Sequence, residues 1–346
     1  MHVVDARNLN QAAPKVVRAM SLLAYRRDSR NGPVKTVDEP FLMRLASPWE
    51  RVLYWDGRRD NPFLNFFDGL FALSKHNDAD FMIQFSKNMG QYALHNMDQR
   101  YFPGHYGSRL RNHPLFDDQL GAACHKLGEN PDDRRAVISL WGVPIDYSAD
   151  SPDVPCNVML LPKVLFDGHL GLTVINRSND IGWGYLGVNP VQFSMIQEVM
   201  AAELRRPLGP LQMFTNNLHG YEEFGPWKWM VEQVEAGQVP EDFYETRNFR
   251  PQEMILPHEN IVQFLWDVDN LVHMHRDFGV VSEPRNFQTQ FFKHTVVPML
   301  VAWEAMRLAP KKPEPGLAHE IQRLCDHVLS PDWRQAIKAY FAPRTV

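Results

Sequence analysis

The feature that most constrains the fold of this chain is a pair of β-rich runs joined by Asp167-Gly168. The first run, residues 158–166, follows Cys156, and the second, residues 170–176, ends at Arg177. Asp-Gly favours a tight hairpin turn because it tolerates the positive φ angles that such a turn requires. In an antiparallel pair, the start of the first strand lies beside the end of the second. The sequence therefore predicts a β-hairpin that brings Cys156 close to Arg177.

Cys156 beside Arg177 has the chemistry of an activated nucleophile. A nearby guanidinium favours the thiolate over the thiol, and the thiolate is the nucleophilic form. The alternative is structural, because a lone cysteine after a proline is usually a small buried hydrophobe and the polar run after Arg177 is usually a strand end. The motifs elsewhere in the chain favour the nucleophile.

The composition is that of an ordinary globular protein. With 346 residues, 44% of them hydrophobic, the chain can form one large domain or two small ones. The net charge of −5 gives no support for a nucleic-acid-binding surface, so a nucleotide would need a local basic cluster. The first residues lack an apolar signal region, and no run approaches the about 18 apolar residues of a membrane span. We therefore expect neither export nor membrane insertion.

The cysteines are too far apart for a disulfide framework or a paired set of metal ligands. They are Cys124, Cys156 and Cys325, and the scattered histidines, including His125 beside Cys124, form no ligand motif. We expect a reducing, cytoplasmic compartment and no metal.

Hydrophobic spacing predicts helices at both ends of the chain. Residues 10–25 show helical periodicity, and residues 61–73 predict a buried helix with Pro62 in its first turn. Helical spacing returns in residues 259–341, which favours helices packed on the same core over a separate domain. Between these, the pattern predicts strands at 34–45 and 136–141, a polar helix-rich connection at 77–100, a helix at 194–204, a strand ending near 215–221 and an irregular segment at 226–257.

Short motifs in a fixed order give the chain its resemblance to a known family. They are Tyr106-Gly107, Pro155-Cys156, Arg177-Ser178-Asn179-Asp180, Leu186-Gly187 and His219-Gly220-Tyr221. The chain resembles the thymidylate synthase family over about residues 20–225, and within it the phage-type branch of pyrimidine nucleotide hydroxymethylases. The resemblance implies an α+β fold, a large mixed β-sheet covered by helices, with an additional helical C-terminal region. It implies one domain over 1–346, with a catalytic core of about 20–240, a helical extension of about 255–346, a homodimer and, if the protein is viral, the host cytoplasm.

The resemblance implies that arginines bind the phosphate of a pyrimidine nucleoside monophosphate. Arg30 occupies the matching loop, with Arg26 or Arg27 as the alternative register. Arg177 and Ser178 would join it, and Arg134 and Arg135 would reach the nucleotide of the other subunit. Guanidinium groups suit a phosphate dianion because they donate in pairs.

Base and sugar contacts follow from the same resemblance. Asn189 is the candidate for the pyrimidine edge, with Asn179 as a lesser one. An amide both donates and accepts hydrogen bonds, which suits uracil. His219 and Tyr221, one residue apart on a strand, would share a face and bind the sugar hydroxyl.

The resemblance also implies a reaction in which Cys156 adds to C6 of the pyrimidine. Asp68 replaces the family's glutamate in the buried helix and is either part of a water network or an aspartate at the helix's solvent edge. Tyr106 would take part in removing the C5 proton, and Asn157 replaces the usual histidine after the nucleophile. Asp180 would bind the pterin of 5,10-methylenetetrahydrofolate, the implied co-substrate.

Four departures from thymidylate synthases favour water addition over hydride transfer. They are Asp68, Asn157, the lack of tryptophan between Trp55 and Trp141, and the C-terminal residues 342–346. We therefore expect a dUMP 5-hydroxymethylase, with dCMP or CMP as less favoured substrates. The alternatives are a thymidylate synthase and a catalytically silent nucleotide-binding protein on the same fold.

Overall fold

The computed structural model describes residues 1–96, 99–113, 116–147, 151, 153–278, 284–310 and 312–342. Within these ranges the strands are β1 (His2–Ala6), β2 (Tyr25–Ser29), β3 (Gly32–Thr36), β4 (Phe41–Leu45), β5 (Leu94–Asn96), β6 (Gln99–Tyr101), β7 (Ile138–Ser139), β8 (Asn157–Val164), β9 (Leu170–Asn176), β10 (Asn179–Asp180), β11 (Leu208–Thr215) and β12 (Leu218–Tyr221). The α-helices are α1 (Leu9–Leu23), α2 (Pro62–Phe71), α3 (Ala79–Ile83), α4 (Tyr106–Arg111), α5 (Gln119–Glu129), α6 (Val143–Asp146), α7 (Asn189–Glu203), α8 (Trp227–Glu235), α9 (Phe243–Thr246), α10 (Ile261–Phe278), α11 (Val297–Leu308), α12 (Pro315–Asp326) and α13 (Pro331–Phe341). Ile181–Val188 and Phe292–Val296 are π-helical turns.

The predicted hairpin is formed by β8 and β9. The two strands are antiparallel, with Asn157 opposite Asn176 and Val164 opposite Leu170. Gly168 in the turn has a φ of 85°, a conformation that favours glycine. In the part of the chain described, the hairpin belongs to a mixed sheet of order β1-β4-β11-β9-β8-β7, in which β9 is parallel and β4 antiparallel to β11. This sheet confirms the expected α+β class.

The two faces of this sheet differ. On one face α7 contacts β9 and β11, and α1 contacts β1 and β4. On the other face Leu42, Phe214, Ile175 and Met159 are only half-buried. They lie in register as one row across β4, β11, β9 and β8. An apolar row on an open sheet face suits contact with another protein surface.

Helix α2 connects the sheet side of the protein to the C-terminal helices. The side chain of Asn61 caps it by accepting the N–H groups of Phe63 and Leu64 at 3.1 and 3.2 Å. Its Phe66 is fully buried and packs edge-on against Trp333 of α13, with 4.9 Å between the ring centroids. The C-terminal helices therefore support the helix that carries Asp68.

Three sequence predictions of secondary structure were wrong in detail. The strand expected at 34–45 divides into β3 and β4, which belong to different sheets. The strand near 215–221 divides in the same way into β11 and β12. The segment 226–257 contains α8, whose buried Trp227, Met230 and Val234 have helical spacing that the surrounding charges and prolines concealed.

Candidate active site

The hairpin brings the predicted nucleophile and its arginine together. The backbone N–H of Arg177 donates to the Cys156 carbonyl at 2.9 Å, and Arg177 Nη2 lies 3.7 Å from Cys156 Sγ. The same guanidinium donates to the carbonyls of Pro155 and Val154 at 2.9 and 3.1 Å and lies over the ring of Trp141. Arg177 is therefore held in place beside the sulfur by several contacts.

The expected preference for thiolate at Cys156 is only partly correct. Arg177 lowers the pKa of the thiol, as its charge requires, but burial raises it by more, and Asp153 adds to the rise. The net effect is a pKa above the ordinary cysteine value. In the protein without substrate, Cys156 is therefore mainly a thiol at neutral pH.

Cys156 borders a cavity of about 200 Å³ that collects polar groups from several elements. Asp68 comes from α2, Tyr106 from the start of α4, and Asn189 and Gln192 from the start of α7. Asp153 lies three residues before Cys156 and lines the same cavity. A small cavity with a nucleophile and several titratable groups has the features of an active site.

Asp68 borders this cavity and is not at a solvent edge of α2. Burial raises its pKa to about 7, and a hydrogen bond from Gln192 opposes the rise. Gln192 in turn accepts from Asn189 Nδ2 at 2.8 Å. The three side chains form a hydrogen-bonded chain along one wall, and Asp68 can exchange a proton near neutral pH.

Tyr106 of the cavity wall forms a second side-chain hydrogen bond, with Asn157. Asn157 Nδ2 donates to the Tyr106 hydroxyl, and the Oδ1 atom of Asn157 is buried with no hydrogen-bond partner among the described residues. Burial raises the pKa of Tyr106 well above its ordinary value, so the hydroxyl stays protonated. The side chain of His105 caps α4 by accepting from the N–H of Ser108 at 3.2 Å and thereby positions Tyr106.

The residues expected to bind the sugar lie together on the second sheet, whose order is β10-β12-β3-β2 in the described part of the chain. His219 and Tyr221 share a face of β12, with ring centroids 5.3 Å apart. Ser178 Oγ lies 3.4 Å from His219 Nδ1, and Asn31 Nδ2 donates to the Tyr221 hydroxyl at 3.4 Å. The shared face is the predicted one, whereas sugar binding remains a prediction.

The arginines expected to bind phosphate do not all lie beside one another within a single chain. The charge of Arg30 lowers the pKa of Cys156, so Arg30 lies near the nucleophile. Arg26 pairs with Glu222 at 3.0 Å, which makes it less suited to a phosphate. Arg134 and Arg135 are exposed, and Arg135 pairs with Asp133 at 2.7 Å.

Asp180 has a structural task in addition to any ligand contact. Its Oδ1 accepts the N–H groups of Gly182 and Trp183 at 2.9 and 2.6 Å and so caps the turn 181–188. Burial raises its pKa to about 6. Arg58 fixes the same turn by donating to the carbonyls of Leu186 and Gly182, and it pairs with Asp60 at 3.0 Å.

A second cavity of about 490 Å³ lies where this turn meets α2 and α13. Leu186 and Gly187 line it, and the next two residues, Val188 and Asn189, line the cavity of Cys156. The turn 181–188 therefore borders both cavities. Aromatic side chains form part of the larger one: Tyr54, Trp55, Trp333 and Tyr340.

Sequence reasoning missed Gln192, Asp153 and Arg58. Gln192 follows Asn189 by three positions in a helix, a spacing that places the two on one face. Asp153 stands in the segment that leads to the nucleophile, and only its burial distinguishes it from a surface residue. Of the departures noted in the sequence, residues 343–346 lie outside the described residues.

The described residues lack two kinds of feature. They contain no group of three or more histidine, cysteine or acidic side chains placed to hold a metal ion. They also contain no helix with the length and hydropathy to cross a bilayer.

Comparison with known proteins identifies the family. A family model for thymidylate synthase matches residues 71–241, and the chain is 33% identical to the deoxyuridylate hydroxymethyltransferase of Pseudomonas phage M6 over 97% of this chain and 92% of that protein. The chain belongs to the thymidylate synthase family. This confirms the resemblance inferred from the motifs.

Other members of this family match a part of the chain. The deoxyuridylate hydroxymethyltransferase of Bacillus phage SP01 is 36% identical over 54% of this chain and 50% of its own length. A putative thymidylate synthase of Methanosarcina barkeri is 33% identical over 38% of this chain and 58% of its own length. The protein of Pseudomonas phage M6, which matches almost the whole chain, has a name that specifies hydroxymethyl transfer.

Proposed function

We propose that this protein is a deoxyuridylate 5-hydroxymethyltransferase, which transfers a one-carbon unit to C5 of dUMP and completes the reaction with water. The observation that carries the proposal is the placement of Cys156, Asp68 and Tyr106 around one small cavity, with Arg177 Nη2 3.7 Å from Cys156 Sγ. The full-length similarity to the enzyme of Pseudomonas phage M6 supports the choice of substrate and product.

The first chemical task falls to Cys156. Its sulfur adds to C6 of the pyrimidine, which turns C5 into an enolate-like carbon nucleophile. Because burial raises the pKa of the free thiol, the thiolate forms when substrate is bound, with Arg177 at 3.7 Å to stabilise it.

The pyrimidine edge is held by the amides of the cavity. Asn189 donates to Gln192, and Gln192 hydrogen-bonds Asp68, so a base that contacts one member is coupled to the carboxyl group. With a pKa of about 7, Asp68 can donate or accept a proton as charge moves onto and off O4. Tyr106, held by Asn157, assists removal of the C5 proton.

The phosphate and sugar are assigned to the polar groups on the Arg177 side. Arg30, Arg177 and Ser178 bind the phosphate, and His219 and Tyr221 bind the sugar hydroxyl. Arg134 and Arg135 complete the phosphate site of the partner subunit. The half-buried row Leu42, Phe214, Ile175 and Met159 supports a homodimer formed through this sheet face.

The larger cavity fits the co-substrate. Trp55 Nε1 is buried in its wall with no hydrogen-bond partner among the described residues, so a donor is available to a ligand. Aromatic walls suit the pterin and aminobenzoyl rings, while Arg59 suits the carboxylates. Asp180, at the start of the turn between the cavities, is the proposed pterin contact. When bound, 5,10-methylenetetrahydrofolate supplies the one-carbon unit that C5 receives.

A cytoplasmic location is part of the proposal. Cys124 and Cys325 are buried free thiols, which suits a reducing compartment.

The experiment is trapping with 5-fluoro-dUMP and methylenetetrahydrofolate, followed by mass spectrometry of the denatured protein. We expect a covalent adduct at Cys156 that Cys156→Ala abolishes. Cys124→Ala is the matched control, because burial raises the pKa of that thiol to about 12 and leaves it unreactive. Nucleotide binding without an adduct would instead support a silent protein on this fold.

A further inference from the structure

Asp153 is a carboxyl group of the cavity that the mechanism above does not use. It is three residues from the nucleophile, in the extended segment that leads into β8. Its Oδ2 accepts the N–H of Gly104 at 2.7 Å, and the carboxyl group packs against the Gly104 backbone so closely that a side chain at that position would collide with it. Asp153 is therefore fixed toward the loop that precedes Tyr106 and helix α4.

The charge of Asp153 acts on several groups of the cavity at once. It raises the pKa of Asp68 on one wall and those of Cys156 and Tyr106 on the others. It also raises the pKa of Tyr92, another lining residue. Asp153 lines the same cavity as these four groups, so it lies among them in its wall.

The two carboxyl groups that line this cavity differ in their partners. Asp68 is hydrogen-bonded to Gln192 and belongs to the wall assigned to the pyrimidine edge. Asp153 belongs to the chain segment of the nucleophile. In the proposed adduct Cys156 bonds to C6, so C5 is two bonds from the sulfur that this segment carries.

We propose that Asp153 is the general base that activates the water for the final step of the reaction. This inference rests on the proposed function and extends it, because it assigns a residue to the step that distinguishes hydroxymethylation from methylation.

The step balances without a further reactant. In the intermediate, C5 carries an exocyclic methylene and C6 carries Cys156. Asp153 accepts a proton from water as the oxygen bonds to the methylene carbon, and the π electrons move through C5 to O4. The electrons then return to form the C5–C6 double bond, and Cys156 leaves as thiolate. The proton on Asp153 passes to solvent.

The environment of Asp153 suits this task. Burial raises its pKa to about 6, while the Gly104 N–H and the charge of Arg109 oppose the rise and Asp146 adds to it. The group is therefore mainly ionised at neutral pH and a stronger base than an ordinary aspartate.

The test compares two signals from dUMP tritiated at C5, with methylenetetrahydrofolate present. Tritium release measures loss of the C5 proton, which precedes water addition, and mass spectrometry measures 5-hydroxymethyl-dUMP. We expect Asp153→Asn to lower the ratio of product to released tritium by at least about 10-fold, since general bases contribute about 100-fold or more. In Asp153→Asn, added 2-mercaptoethanol should react with the exocyclic methylene of the accumulated intermediate and give a thioether.

Asp68→Asn is the matched control, a second carboxyl of the same cavity, and should lower both signals together. Asp153→Ser also removes the carboxyl group, and it takes the place of Asp153→Asn in the test if the asparagine variant does not fold. An unchanged ratio in Asp153→Asn or Asp153→Ser, with hydroxymethylated product from the wild type, would overturn the role of Asp153 alone. Thymidylate from the wild type would overturn the proposed function and this inference with it.

Discussion

Asp68→Asn should stabilise the folded protein at alkaline pH although it impairs catalysis. Burial raises the pKa of Asp68 from 3.8 to about 7. A carboxyl group with a raised pKa favours folding when protonated, and this contribution is lost as the pH rises from the unfolded value toward the folded one. Asparagine carries no charge and can still hydrogen-bond to Gln192, so the stability of the variant does not fall in this way as the pH rises.

The size of the effect follows from the two pKa values. Relative to the fully protonated state, the raised pKa of Asp68 lowers the free energy of unfolding by about 4 kcal/mol well above pH 7 and by about 1.5 kcal/mol near pH 5. Because the carboxyl group borders a cavity that admits water, screening reduces the difference. We expect the gain in unfolding free energy from Asp68→Asn to be about 1 to 2 kcal/mol larger near pH 8 than near pH 5.

Urea denaturation of both proteins at the two pH values measures this difference. Asp132→Asn is the control for removing a charge, because Asp132 is exposed and its replacement should change stability by no more than about 0.5 kcal/mol at either pH. A gain from Asp68→Asn that does not depend on pH would refute the reasoning that links burial to the raised pKa.

Three further perturbations test other parts of the structure. Arg177→Ala removes the charge that lowers the Cys156 pKa and should slow alkylation by iodoacetamide at about pH 8 by roughly threefold to tenfold; an unchanged rate would contradict the contact. In Gly107→Ala the new Cβ would collide with the Ser74 carbonyl oxygen, so we expect a loss of about 2 kcal/mol or more in stability, measured by thermal unfolding. Phe214→Asp places a charge in the half-buried row of the sheet. The proposed homodimer through this face predicts that the variant sediments as a monomer, whereas a dimeric variant would exclude this face as the interface.

The hairpin and the family were predictable because they depend on local signals. Asp167-Gly168 predicts the turn, and the β-rich runs on either side of it predict the strands, so the approach of Cys156 to Arg177 follows from the chain itself. The motifs around them occur in a fixed order that composition alone would not produce. The buried helix α2 was predictable for a similar reason, since Asn61 and Pro62 are ordinary signals for a helix start.

The electrostatics of the site were not predictable from the same residues. The arginine beside Cys156 predicts a lowered pKa, but the net value depends on how much water the folded protein excludes, and burial has the larger effect here. The position of Asp68 on a cavity wall likewise depends on where α2 packs against α7.

The assignment of the divided strands to separate sheets was also beyond the sequence pattern. Asp38, Glu39 and Pro40 interrupt the apolar pattern of residues 34–45, but the sheet that β3 and β4 each join is decided only in the folded chain. The same limit applies to Asp153 at the site. Its position in the cavity depends on its contact with Gly104, 49 residues earlier in the chain, which the sequence does not reveal.

The central claim is tested most directly by the mass of the product formed from dUMP and methylenetetrahydrofolate, with dCMP and CMP as competing substrates and Cys156→Ala as the inactive control. The account predicts that dUMP gains one CH2O unit, that dCMP and CMP react poorly, and that the variant forms no product. A gain of CH2 with formation of dihydrofolate would contradict it and make the protein a thymidylate synthase.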